Sequence, residues 1–295
     1  MRLRLVVFTT AWLLSSGFVV AGLTGTITNP SAQPEQRRFL GLDGDYLPFD
    51  TDDAILDFLS TAEIVSRERI PVGVTRPDEV VLEKDGIRAR AAYKDIDERY
   101  QRARMNDGSF FMNLRDYFMF ERAAYELAQM LGLDNVPPTV IRRFGRDRAS
   151  LQLWIENSMT ELDRANEGLR PPSALQWTRQ VQTMYLFDDL VGNVDRNAGD
   201  IVIDRDSWKL WMIDHSRAFQ VDSRLRKAAE LVFCRRDVWE KLQALDKEEV
   251  AGQLGEYLTA SELNSMFERR DALVEHIQAL IDDRTEGAVL YSVQQ

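Results

Sequence analysis

Asp195, Asp200 and Asp214 stand close together in the stretch 187–219. Asp195 follows Gly192-Asn193, where a helical pattern ends, and Asp214 follows an apolar run. Residues 201–203 and 208–213 read as two short strands joined by Asp204-Arg-Asp-Ser207, which arranges the three carboxylates around one hairpin. Phosphoryl transfer uses such a set: one carboxylate accepts the proton of an attacking hydroxyl, and others hold the magnesium that bridges the nucleotide phosphates. The rest of the composition points the same way. Cys234 is the single cysteine and His215 and His276 are the two histidines, which excludes an internal disulfide framework, a cysteine-based zinc cluster and a multi-histidine metal centre. Chemistry in this chain must come from carboxylates, lysine, arginine or hydroxyls.

The elements that must position these groups are readable from pattern and turn chemistry. Asp52 or Asp53 is expected to cap a helix in which Ile55, Leu56, Leu59, Ala62 and Val65 share a face. A strand over 79–83 turns at Lys84-Asp85-Gly86 into a partner over 87–96, since an Asp-Gly pair between strand-formers is a strong hairpin signal. A long helix is expected over 114–131, closed by Gly132 in the left-handed conformation. Strand 139–144 then pairs with 151–156 across Gly145-Arg146-Asp147, and a helix over 174–191 leads into the carboxylate loop. Everything beyond Ser223 reads as helical, with 261–282 the longest candidate. Strands first and helices later predict an α+β fold of two lobes, 52–156 and 157–295.

Acidic residues outnumber basic ones, 48 to 37, for a formal net charge of -11. That balance disfavours nucleic acid as a partner, because affinity for phosphate backbones comes largely from concentrated positive charge. At the amino terminus, residues 5–34 carry no charge, and the apolar stretch 5–23 follows Arg2 and Arg4. Residues 1–23 are read either as a cleaved secretory signal or as an uncleaved membrane anchor, and both place the remaining chain outside the cytoplasm. Residues 24–51, rich in small and turn-forming side chains, are read as a flexible tether.

Asp195-Arg-Asn-x-Gly199 followed by Ile213-Asp-x-x-Arg-Ala-Phe219 resembles the catalytic and metal-binding loops of atypical kinases related to the phosphatidylinositol kinases. The fuller string Phe187-Asp-x-Leu-x-Gly-Asn-x-Asp-Arg196 is even more similar to the Golgi secretory-pathway kinases, the casein and xylosyl kinases. The likeness spans 63–219 and is strongest at the two loops. It implies a two-lobed kinase-like fold with a small sheet-containing N-lobe and a mostly helical C-lobe. It also implies that Asp195 is the catalytic aspartate and Asp214 the main metal ligand. Asp200 stands where protein kinases usually have a metal-binding Asn, an acidic departure that still suits magnesium or manganese. Kinases further need a strand lysine to hold the phosphates and a helix glutamate to orient it. Lys94, after Ala91-Ala92-Tyr93, matches the first; Glu121, with Glu126 in reserve, matches the second. Gly73 and Thr75 in 70–77 either cradle phosphate or belong to an ordinary loop feeding a strand. Trp154 and Glu156 mark the inter-lobe hinge under the adenine. Arg196 and Arg217 either brace the two loops through ion pairs or contact phosphate, with bracing preferred. His215 is read as a packing residue.

The leading expectation is an exported or anchored ATP-dependent phosphotransferase using magnesium or manganese, acting on a hydroxyl of a protein or glycan. A lipid headgroup is disfavoured by the acidic balance. A nucleotide-binding pseudokinase and a nucleotidyl transferase on the same fold are the alternatives.

Overall fold

The computed structural model describes residues 39–70, 77–105, 108 and 110–292. Residues 1–38, with the apolar amino-terminal stretch, lie outside them, as do Gly73 and Thr75. Among the described residues no helix is long and apolar enough to cross a membrane.

The chain first forms helix α1 (Asp52–Thr61), then strands β1 (Glu63–Arg69), β2 (Asp78–Lys84) and β3 (Ile87–Lys94). The α1 cap is Thr51, whose hydroxyl accepts from the Ala54 amide at 3.2 Å, and Asp52 and Asp53 fall instead in the first turn beside the positive end of the helix dipole. Ala62 already has extended backbone, so Val65 lies in β1 and is exposed rather than on the helix face. The β2–β3 turn is as expected: Asp85 and Gly86 both take positive φ, and Lys84 pairs with Ile87. Later strands β6 (Thr139–Phe144) and β7 (Asp147–Leu153) complete an antiparallel sheet in the order β1-β2-β3-β7-β6. Alternation on β3 sends Ala89, Ala91 and Tyr93 into a core with Val80, Leu82 and Leu151.

Residues 39–50, read as tether, are partly folded onto this lobe: Phe39 and Leu47 are buried in its core, and the Phe39 ring sits 5.3 Å from that of Trp211. The expected helix over 114–131 is also corrected. Residues up to Tyr117 form strand β5 (Phe110–Tyr117), paired antiparallel with β4 (Asp97–Arg104), and helix α2 (Met119–Met130) begins after it. β4 is largely solvated and nearly all charged or polar, and the buried residues of β5, Phe111, Leu114 and Asp116, do not recur at every second position, so neither strand shows the two-residue hydrophobic alternation that marks a strand. Gly132, at φ 66°, ends α2 as expected.

The chain leaves the upper sheet at Leu153, earlier than expected, and Trp154–Glu156 connect to β8 (Ser158–Thr160) and α3 (Glu161–Asn166). Helix α4 (Ala174–Val191) has the expected bounds, capped by Ser173 and ended by Gly192 at φ 62°. Strands β9 (Ile201–Asp204) and β10 (Leu210–Met212) join β8 in a three-stranded sheet. The carboxy-terminal part is not wholly helical. Residues 224–233 form neither helix nor strand, and β11 (Cys234–Arg235) pairs in parallel with β12 (Leu290–Tyr291) around α5 (Arg236–Ala244), α6 (Lys247–Leu254), α7 (Ala260–Arg284) and α8 (Glu286–Val289). These helices pack with α2 and α4 around Phe187, Leu190, Met266 and Leu273. The result is an antiparallel-sheet lobe above a helical lobe.

Candidate functional site

A cavity of about 740 Å³ is lined by upper-sheet residues, the Leu153-Trp154-Ile155 connection and the loops after α4 and β10. Lys94, Trp154, Asp195, Asp200, Asp214 and Arg217 all border it.

Lys94 ends β3 on the face opposite Tyr93. Its Nζ donates to Glu121 Oε1 at 2.5 Å and to Asp214 Oδ1 at 2.8 Å. Burial works against the ammonium, yet Asp214 and Glu121 together hold it above the usual lysine range. Glu121, in the first turn of α2, is 1% exposed; burial pushes its carboxyl up despite Lys94. Glu126 faces away and pairs with Arg122.

Asp214 leaves β10 with φ 58°, a left-handed conformation that Asp tolerates better than most residues. Burial disfavours its charge, but Lys94 and the Ser216 hydroxyl, which donates to Oδ1 at 3.1 Å, keep the carboxyl well below its ordinary range. Asp200 is held by the Asn197 amide and side chain, the latter at 2.5 Å from Oδ2. Its pKa is pushed up to about 8, first by burial and then by the charge of Asp214. Burial and mutual repulsion of two cavity-lining carboxylates are what a divalent cation would offset, so Asp200 and Asp214 are the residues that could hold one.

Asp195 accepts from Arg217 Nη1 at 2.7 Å. Burial raises its carboxyl above the ordinary range against the opposing pull of Arg217. Arg196 binds Asp188 on α4 through Nη2 (2.9 Å) and Nε (3.0 Å), and it donates to the carbonyls of Asp200 and Ile213. It therefore ties helix, first loop and second loop together, the bracing role expected for both arginines. His215 is fully buried against the Phe187 ring and beside Arg196 Nη2, and burial holds it neutral.

Trp154 borders the cavity, whereas Glu156 does not: its carboxylate is taken by Arg90, whose Nε donates at 2.8 Å. Gly73 and Thr75 lie outside the described residues, although Ile70 and Pro77 on either side line the cavity. Asp116 and Asp188 are the buried partners of Arg217 and Arg196, a role the sequence alone does not assign to either. Asp188 lies inside the family-like string and was within reach; the only local mark of Asp116 is an acid in an otherwise mixed segment.

The sequence matches no protein-family profile and no curated protein. In three dimensions the chain is similar to hydra Fam20, solved with a sugar, with a TM-score of 0.62 and 14% identity over 82% of this chain and 92% of that one. It is similar also to the Golgi casein kinase with Mn and ADP bound, with a TM-score of 0.57 and 15% identity over 81% and 78% of the two chains. Another structure of the Golgi casein kinase gives 0.59 and 14% over 85% and 80%. The chain thus has the two-lobed fold of the atypical, Golgi-type kinases.

Proposed function

We propose that this chain is an exported or membrane-anchored, ATP- and divalent-metal-dependent kinase that phosphorylates a hydroxyl of a protein or glycan. The observation that carries the reading is the convergence of Lys94, Asp195, Asp200 and Asp214, from separate segments, on one cavity. Ala92, Leu153, Met159, Val202 and Ile213 offer the adenine an apolar slot, and Trp154 lies at the connection between the sheets. Lys94, oriented by Glu121, neutralises phosphate oxygens. Asp195 takes the proton of the acceptor hydroxyl as its oxygen bonds to the terminal phosphorus and the bond to ADP breaks. Asp214 and Asp200 would hold the cation, which when bound supplies positive charge to the phosphate oxygens. The manganese and ADP in the Golgi casein kinase support the same ligand class here. A second cavity of about 570 Å³, also bordered by Asp195, offers the acceptor an approach. In this reading residues 5–23 supply export or anchoring, 52–156 form the N-lobe and 157–295 the C-lobe.

The test incubates the purified chain with ATP, magnesium or manganese, and protein or glycan acceptors, following nucleotide consumption and product mass. Acceptor gain of one phosphate is expected. Gain of a nucleotide would mean nucleotidyl transfer, and binding without turnover a pseudokinase. Asp195→Asn should abolish transfer with ATP binding retained; metal-dependent ATP binding that survives Asp214→Ala would overturn the site.

A further inference from the structure

Arg217 presents two edges to two carboxylates. Nε donates to Asp116 Oδ2 at 2.7 Å, and Nη1 donates to Asp195 Oδ2 at 2.7 Å. Asp116 is fully buried on β5, and its other oxygen, Oδ1, has no protein hydrogen-bond partner. A guanidinium is a planar fork, so fixing one edge fixes the direction of the other.

The surrounding contacts make the β4–β5 hairpin a rigid base for this fork. The Tyr117 amide donates to the Ser216 carbonyl at 2.8 Å. Arg115 and Gln220 exchange hydrogen bonds, amide to Oε1 at 2.9 Å and Nε2 to carbonyl at 2.7 Å, and Arg115 Nη1 reaches Glu262 at 2.9 Å. Three successive residues of β5 are thereby fastened along the loop that carries Arg217. The same hairpin buries Met105, Phe111 and Leu114 against Val194, the neighbour of Asp195. It thus holds the carboxylate loop through an apolar contact at Val194 and, by way of Arg217, an ionic one at Asp195. With both edges engaged, Arg217 is placed as a strut rather than a phosphate ligand.

We propose that Asp116 is a positioning residue for phosphoryl transfer, holding Arg217 so that Arg217 orients the Asp195 carboxylate toward the acceptor hydroxyl. This rests on the kinase reading above. It is tested by the kinetics of Asp116→Asn beside Asp195→Asn, with ATP binding measured on the same proteins. Misplacing a reacting group by about 1 Å costs up to about 100-fold in rate, so Asp116→Asn should lower kcat by about 10- to 100-fold. Its KM for ATP and its metal-dependent ATP affinity should stay within about twofold of wild type, a split that general loosening of the fold would not produce. Because Asp116 acts only through Arg217, adding Asp116→Asn to Arg217→Gln should lower kcat no further than about twofold. That double variant removes both members of the buried Arg217–Asp116 pair, leaving neither charge stranded by the loss of the other, and so also serves if Asp116→Asn alone fails to fold. An Asp116→Asn protein with near wild-type kcat beside an inactive Asp195→Asn overturns the positioning role while sparing the kinase reading, as do losses that multiply in the double variant. Wild-type turnover in Asp195→Asn overturns both.

Discussion

Glu121→Gln isolates the logic of the buried lysine. Lys94 lies between two carboxylates, at 2.5 Å from Glu121 and 2.8 Å from Asp214. The amide oxygen of Gln still accepts from Nζ, and the amide escapes the burial cost that raises the Glu121 carboxyl. Against these gains stands a lost charge-assisted bond worth about 1.5–3 kcal/mol. The predicted net cost is therefore about 1–2 kcal/mol, or roughly 2–4 °C in Tm for a chain of this size. The larger effect is functional. One opposite charge shifts a carboxylate by about 1–3 pKa units, equivalent to about 1.4–4 kcal/mol. Lys94 now divides that attraction; when Glu121 is neutral, Asp214 receives most of it and releases itself less readily to a cation. If half is redirected, metal-dependent ATP affinity falls by about 3- to 30-fold. Calorimetric titration of ATP with and without magnesium or manganese measures this directly. Glu126→Gln is the control, since it loses only a partly exposed pair with Arg122, worth about 0.3–0.5 kcal/mol. Unchanged metal-dependent affinity in folded Glu121→Gln, or a larger loss in Glu126→Gln, would refute the reasoning.

Two further outcomes follow from the same geometry. With the Asp200 carboxyl pushed up to about 8, the metal-free protein carries a proton there at neutral pH, and a cation must displace it. Apparent metal affinity should therefore rise with pH by up to about tenfold per unit until roughly pH 8 and then level off; a flat or falling profile contradicts the assignment of Asp200. Gly192→Ala should destabilise the protein by about 1–3 kcal/mol, because a left-handed residue gains a Cβ. That Cβ would meet Arg269 Cζ at 2.5 Å, and Arg269 cannot easily yield, being fully buried and bonded to the carbonyls of Leu190, Gln220 and Asp222. An unchanged Tm for Gly192→Ala would show that Arg269 is less constrained than its contacts imply.

Much of the scaffold was legible because its signals are local. Asp85-Gly86 makes its turn from two adjacent residues, Gly132 and Gly192 end helices where a Cβ would be strained, and the 174–191 helix has both its cap and its stop in view. The carboxylate loop was legible for the same reason, since Asp195 and Asp200 are positioned by Asn193 and Asn197, each only a few residues away. The β4–β5 hairpin was not. Its strands lack a hydrophobic period of two, and pairing with each other, rather than helix propensity, decides the conformation of 114–117.

The amino-acid sequence by itself determined the chemical inventory: oxygen ligands, one well-placed lysine, no thiol or imidazole centre, and loops whose turns follow from neighbouring residues. Tertiary structure alone decided which charges meet. Lys94 reaches Asp214 across 120 positions, and Arg217 reaches Asp116 across 101. Glu121 rather than Glu126 faces the lysine because of how α2 is rotated against the sheet. Such pairings depend on the closing of long chain segments around a shared core, where burial makes an unmatched charge costly, and no local pattern of residues encodes them.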